Sequence, residues 1–278
     1  MRLVKVLSAA IVLSSMLAAP ALAATCNPPG GFDAFLAAFK RDAAAKGVSP
    51  RGLSALNGIT LDPSVLAADK HQGVFKQTFE EFSGRMISRD RMIKGLRLLQ
   101  VHAPVLRRAE QQFGVPGPVI VAIWGLETDF GSSVGKKEVI RSVATLAFDC
   151  RRTDMFQAQL TDALRIVDRG DLTPAEMHGD WAGDFGQTQF LPSAYYKYSV
   201  DFDGDGRRDL VHSVPDVLAS TANYLIGYGW QRGQRWNEGD PNFEAIKGWN
   251  KAMVYAKTIA AFAERLEGGA ARAEQPRH

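Results

Sequence analysis

The segment PVIVAIWGLET, residues 118 to 128, carries a single ionisable side chain, Glu127, at the end of an otherwise apolar run. Pro118 suits the first turn of a helix, and helical spacing then puts Ile120, Ile123 and Glu127 on one face. Burying the two isoleucines carries Glu127 to the rim of the core, where desolvation raises the pKa of a carboxyl group. An ionised carboxylate there is costly unless it is paired. These residues alone leave two readings open. Glu127 is either a structural acid satisfied by a buried arginine or a helix cap, or an acid kept protonated near neutral pH, as glycosidic-bond cleavage requires. Asp129 points elsewhere on a helix and is a poor partner for shared chemistry.

Helical spacing recurs along the chain, and strand alternation does not. Residues 32–47 form an amphipathic run that stops at Gly47. Ser49-Pro50 and Asp62-Pro63 each pair an N-cap residue with a proline at the first helical position. A long amphipathic stretch covers 89–112, and further helical runs cover 138–149, 153–169, 215–230 and 248–266. Residues 207–214 are the best candidate for a short strand. The expected class is mainly α with a small irregular or β element. The last residues, 268–278, have no apolar periodicity and read as a disordered tail.

The N-terminus reads as an export signal. A basic start (Arg2, Lys5), an apolar stretch from Val6 to Leu17 and the small-residue site Ala21-Leu22-Ala23 predict cleavage after Ala23. The apolar run is short for a membrane span, and Thr25 before Cys26 disfavours lipidation, so no stable membrane anchor is expected. The chain is formally +3, of which Arg2 and Lys5 supply two, leaving +1 after cleavage. That balance excludes the basic footprint of a nucleic-acid binder. Cys26 and Cys150, an even pair in an oxidising compartment, predict one disulfide. The five histidines show no ligand-pair spacing, which leaves zinc catalysis without support.

Three further motifs bear on chemistry. Gly131-Ser132-Ser133-Val134-Gly135 matches the nucleophile elbow G-x-S-x-G, but that motif needs a strand before it, and a helical pattern precedes it here. Residues 180–198, DWAGDFGQTQFLPSAYYKY, combine Gly183 and Gly186 with Gln189 and the rings of Trp181, Phe190, Tyr195 and Tyr196, a composition suited to a neutral polar ligand such as a sugar or to a packed loop. In DFDGDGRRDLVH, Asp201, Asp203, Asp205 and Gly206 fall at positions 1, 3, 5 and 6 of an EF-hand loop, and Arg207 offers its carbonyl at position 7. Asp209 stands at position 9, and His212 replaces the closing Glu, so Asp216 is the candidate for that ligand. The motif reads as a structural calcium site rather than a sensor.

Taken in order, FGVPGPVIVAIWGLETDFG, ATLAFDCRR, GDWAGDFGQTQFLPSAYYKYSVDFDGDGRRDL, ANYLIGYGW and WNKAMVYAKTIAAFAERL resemble the lytic murein transglycosylase B family over roughly residues 110–266. The resemblance implies a lysozyme-like helical core, about 113–240, with added helical subdomains inside a catalytic region of 24–267. It implies non-hydrolytic cleavage of the MurNAc–GlcNAc bond of peptidoglycan glycan strands in the periplasm, with Glu127 acting as acid and then base and no cofactor for catalysis. Gln189, Tyr224, Asn250 and Tyr255 match substrate-binding or cleft positions, and Trp249 stands where the family has Tyr. Two positions depart from the pattern: Asp180 replaces a usual Ser and Asp184 a usual Ala. Either offers a base for water, which keeps a hydrolytic muramidase as the alternative. A non-catalytic peptidoglycan-binding protein is the third reading.

Overall fold

The computed structural model describes residues 24–71 and 77–274. The expected leader, residues 1–23, lies outside them. The described residues form α1 (Gly31–Ala45), α2 (Pro50–Ser54), α3 (Pro63–Lys70), α4 (Phe79–Met86), α5 (Arg89–Val101), α6 (Ala103–Phe113), α7 (Gly117–Thr128), α8 (Val139–Phe148) and α9 (Thr153–Arg169). They continue with α10 (Pro192–Tyr198), α11 (Val214–Gly227), α12 (Phe243–Trp249) and α13 (Met253–Glu274). A single antiparallel pair, β1 (Lys137–Glu138) with β2 (His178–Gly179), is the whole sheet among the described residues. The mainly helical class expected from periodicity is the class found.

Local chemistry accounts for many of the boundaries. The Ser49 hydroxyl accepts from Arg51 N at 3.2 Å and the Asp62 carboxylate from Ser64 N at 2.9 Å, each ahead of a proline at the first helical position. Thr78 and Glu81 close a reciprocal capping box on α4, a helix the apolar spacing did not announce. Helices α10 and α12 were also missed.

Four expectations are corrected. The stretch 89–112 is two helices, α5 and α6, because Pro104 cannot donate to the preceding turn and the chain breaks at His102. Residues 207–213 are irregular and Val214 opens α11: Asp209 and Asp216 capture the backbone amides of 209, 211 and 212 that a ladder would use. The run 248–266 is interrupted after Trp249, where Asn250 is extended and its side chain caps the Ala252 amide at 3.0 Å. The tail is helical through Glu274, with Gly269 packed beside Leu96.

Helix α7 is the axis of the molecule. Every residue from Val119 to Leu126 is buried, so the helix is enclosed all round. Helices α13, α5, α6 and α11 pack against it. Gly125 makes the close fit possible: a Cβ there would stand 2.7 Å from Phe130 Cζ and 3.0 Å from Phe262 Cε1. A second group, α8 with α9, α10 and α2, packs beside this bundle. The disulfide Cys26–Cys150 ties the chain ahead of α1 to the turn between α8 and α9, and Arg151 and Arg152 both pair with Asp69 of α3.

Candidate active site

Glu127 sits one residue before the end of α7, and the way α7 ends fixes its position. Asp129 and Phe130 both adopt left-handed backbone, φ +50° and +61°, a conformation side chains other than glycine rarely take. Arg91 and Lys94 of α5 each hold the Asp129 carboxylate at 3.3 Å, and the Phe130 ring meets Trp124 edge-on at 5.6 Å. Asp129 is therefore a structural anchor, separate from the chemistry. The GSSVG stretch follows this reversal with no strand before it, so the nucleophile-elbow geometry is absent.

The interruption between α12 and α13 serves the same point. Trp249, the last residue of α12, donates its indole N–H to Glu127 Oε1 at 2.8 Å. Tyr255, in the first turn of α13, also hydrogen-bonds the Glu127 carboxyl. Burial pushes Glu127 up to about 7; the Trp249 and Tyr255 donors oppose that rise, and the Asp184 charge adds to it. No arginine or lysine pairs with Glu127 among the described residues, which disposes of the structural ion-pair reading. The side chain is thus half-protonated near neutral pH, able to give a proton and then take one back.

Glu127 opens into a cleft of 570 Å³ that Asp180, Asp184, Gln189, Tyr224, Trp249 and Asn250 also line. The fold brings together every substrate-site residue expected from the sequence, with Tyr255 reaching Glu127 from α13. Gln189 takes left-handed backbone, φ +51°, and spends its amide N–H groups on Gly186 O at 2.9 Å and Val134 O at 3.2 Å. Its carbonyl oxygen remains as an acceptor. Tyr224 stacks on Tyr228 at 4.8 Å and tilts against Trp249 at 4.6 Å. Tyr198 and Tyr228, two more lining rings, were missed by the sequence analysis.

The 180–198 segment needs correction in detail. Tyr195 is fully buried and stacks on Phe185 at 5.0 Å, and Phe190 is buried, so neither offers a free face. Tyr196 lies under Arg169 instead. Gly183 and Gly186 admit the protein itself rather than a ligand: a Cβ would stand 2.4 Å from Val143 Cγ2 or 2.8 Å from Leu210 O. Gln187, which no motif flagged, is the buried link beneath the site. It accepts from Trp124 Nε1 at 3.0 Å and donates to Val211 O at 3.0 Å, and its carbonyl receives the Thr128 hydroxyl at 2.5 Å. It joins the end of α7 to the aspartate loop.

In that loop Asp201, Asp203 and Asp205 each offer a carboxylate oxygen, all within 4.8 Å of one another. Gly204 and Gly206 N–H groups bond Asp201 at 2.8 and 2.9 Å, and Arg207 N bonds Asp205 at 2.8 Å, which aims the three carboxylates inward. An all-oxygen donor set of this kind fits a hard divalent cation. The Arg207 guanidinium turns away to Asp171 O at 2.9 Å. Asp216 is buried, and its carboxylate accepts from the amides of Phe202, Asp203 and Asp209 at 2.7, 3.3 and 2.8 Å. It supports the loop from within and stands outside the cluster of three.

A helical core that presents one carboxyl group from the end of its buried central helix into an aromatic cleft defines a lysozyme-like domain. The chain belongs to the transglycosylase SLT domain family, whose model matches residues 31–239. Over 152 residues it is 36% identical to membrane-bound lytic murein transglycosylase B of Escherichia coli (strain K12), covering 54% of this chain and 42% of that protein. The chain thus spans less than half the length of this curated relative. Among solved structures it is similar to SltB3 from Pseudomonas aeruginosa in complex with NAG-anhNAM-pentapeptide, with 32% identity, a TM-score of 0.80, and coverage of 85% of this chain and 80% of that one. SltB1 from the same organism matches with 26% identity and a TM-score of 0.77, over 84% of this chain and 98% of its own.

Proposed function

We propose that this protein is a peptidoglycan lytic transglycosylase that cleaves the MurNAc–GlcNAc β-1,4 bond without net hydrolysis. The observation that carries the reading is the state of Glu127: partly buried at the cleft, without a cation among the described residues, held by Trp249 and Tyr255, and pushed up to about 7. The SltB3 complex supports the substrate class, since its ligand carries the anhydro sugar that such a reaction makes. In the first half of the reaction Glu127 gives its proton to the glycosidic oxygen as the bond to C1 breaks, and the substrate N-acetyl group stabilises C1. In the second half the Glu127 carboxylate takes the proton from the C6 hydroxyl, whose oxygen bonds C1 to give a 1,6-anhydro end. The Trp249 and Tyr255 donors favour the ionised form between the two halves. Gln189 Oε1 accepts from a sugar hydroxyl or amide, and the faces of Tyr224 and Trp249 receive the pyranose rings, with Asn250 and Asp180 at the cleft wall.

Asp201, Asp203, Asp205 and the Arg207 carbonyl would hold a calcium ion, which supplies charge neutralisation that stiffens the loop behind Gln187; Asp216 braces the same loop. Exported placement in the periplasm follows from the leader expected at residues 1–23, and no helix among the described residues is long and apolar enough to cross a membrane. The test is mass spectrometry of purified peptidoglycan digested with the wild type and with Glu127→Gln. Muropeptides one water lighter than hydrolysed ones, lost in the variant, are expected. Cleavage by Glu127→Gln at the wild-type rate would overturn the reading.

A further inference from the structure

The mechanism above uses one carboxyl group, yet three line the same cleft: Glu127, Asp180 and Asp184. The other two are placed by a tight turn. Asp180 N–H donates to Asp184 O at 2.8 Å, and Gly183 N–H to Asp180 O at 3.1 Å. Phe185 and Phe190 exchange backbone hydrogen bonds at 3.0 and 2.8 Å just behind it. Gly179 lets the turn close, since a Cβ there would stand 2.0 Å from Asp184 O. Gly183 seats the turn on Val143 of α8, and the buried Phe185 ring clamps its end against Tyr195. Asp184 is therefore held on a rigid element rather than on a loose loop.

Neither acid is neutralised by the fold. Among the described residues no arginine or lysine pairs with Asp180 or Asp184. Asp180 takes the Trp181 amide at 2.6 Å and is exposed, whereas Asp184 is partly buried beside it. Lys197, on the same cleft wall, is engaged by the Tyr198 hydroxyl. Keeping like charges together without a cation costs stability, and such arrangements concentrate at functional sites.

Resting on the proposed cleavage by Glu127, we infer that Asp184 is a second catalytic base, which activates water and gives the enzyme a hydrolytic branch beside the anhydro-forming one. Both branches share the proton transfer from Glu127 to the glycosidic oxygen as the C1–O bond breaks. They part at C1. In the anhydro branch the C6 oxygen bonds C1 and its proton returns to Glu127. In the hydrolytic branch a water oxygen bonds C1 and its proton goes to the Asp184 carboxylate, leaving a free reducing end. Glu127 then regains a proton from solvent and Asp184 loses one to it, so water is the only co-reactant. The internal hydroxyl has the advantage of proximity, which makes hydrolysis the minor branch. Asp180, one turn-width away, raises the basicity of Asp184, whose carboxyl burial and this neighbour push up to about 6.

The experiment digests a GlcNAc–MurNAc tetrasaccharide whose terminal MurNAc has been reduced to the alditol, and reads, in one mass spectrum, the fraction of the newly formed fragment from the non-reducing side that carries a reducing end, one water heavier than its anhydro form. Because both branches begin with the same Glu127 proton, the fraction is independent of overall rate. Wild type is expected to give both products, and Asp184→Asn to lower the reducing-end fraction at least about tenfold, well inside the roughly 100- to 10,000-fold that a general base contributes. In wild type the fraction is also expected to rise with pH through about 6, as Asp184 ionises. The groups facing Asp184 across the cleft are Glu127 of α7, Asp180 of its own turn, Lys197 and Tyr198 of α10, and Tyr224 and Tyr228 of α11 and its cap. If Asp184→Asn proves inactive, the wild-type pH dependence decides. A wild type that makes only anhydro product, an unchanged fraction in Asp184→Asn, or a fraction flat in pH overturns the inference and leaves the transglycosylase reading standing. Absence of cleavage by wild type overturns both.

Discussion

Replacing Trp249 by Phe removes the indole N–H that donates to Glu127 Oε1 at 2.8 Å and keeps an aromatic ring against Phe190 and Tyr224. A hydrogen bond to an ionised group contributes about 1.5–3 kcal/mol and one to a neutral group about 0.5–1.5. The difference, about 1 to 1.5 kcal/mol, is what the indole gives the ionised form over the protonated one. At about 1.36 kcal/mol per pKa unit, its loss moves Glu127 up from about 7 by roughly one unit. The sign follows directly: losing a donor to the carboxylate favours the proton, so the acid stays protonated to higher pH. The alkaline limb of kcat/KM therefore shifts upward by about one pH unit. Clearing of a peptidoglycan suspension, followed from about pH 5 to about 10 for both proteins, reads this limb. A limb that stays in place or moves down would refute the reasoning, because the indole would then not be stabilising the ionised acid.

Glu127→Gln should be more stable than wild type at alkaline pH. Its folded pKa lies above the unfolded value, so the folded state binds the proton more tightly, and wild-type stability falls as pH rises from about 4.5 through about 7. The gap between the two proteins, read by thermal melts, opens over that window towards an upper bound of about 3 kcal/mol, and solvent at the cleft reduces it. Gln187→Ala strands Trp124 Nε1 and Val211 O, which should cost about 2–4 kcal/mol, or about 5–10 °C in Tm. Calcium at about a hundred times its Kd should raise stability by about 2.7 kcal/mol. Asp201→Ala should abolish that rise, whereas a rise that survives would place the ion elsewhere.

Much of this could be read along the chain because it is local. The buried helix ending in a lone acid, the caps at Ser49 and Asp62, and the repeated aspartates of 201–205 are each written within a dozen residues. What escaped depends on distant partners. The Trp249 bond to Glu127 spans 122 residues and exists only because Asn250 breaks a run whose apolar spacing reads as one helix. Gln187 looks like any polar loop residue until Trp124, 63 residues before it, and Val211 close around it. Tyr195 and Tyr198 lie on one short helix, and only packing decides that the first joins the core while the second lines the cleft. The helical tail was missed because its glycines lower propensity, a weak prior that packing against Leu96 overrides.

The central claim is that one partly buried carboxyl group, half-protonated near neutral pH, serves as acid and then as base. NMR titration of the protein labelled at glutamate side-chain carboxyl carbons, with the Glu127 signal assigned by its loss in Glu127→Gln, tests it directly. The account predicts a midpoint near the value of about 7 that burial and the Asp184 charge impose. A midpoint at the ordinary 4.5 would mean that Glu127 is fully ionised at neutral pH and cannot be the acid that opens the reaction.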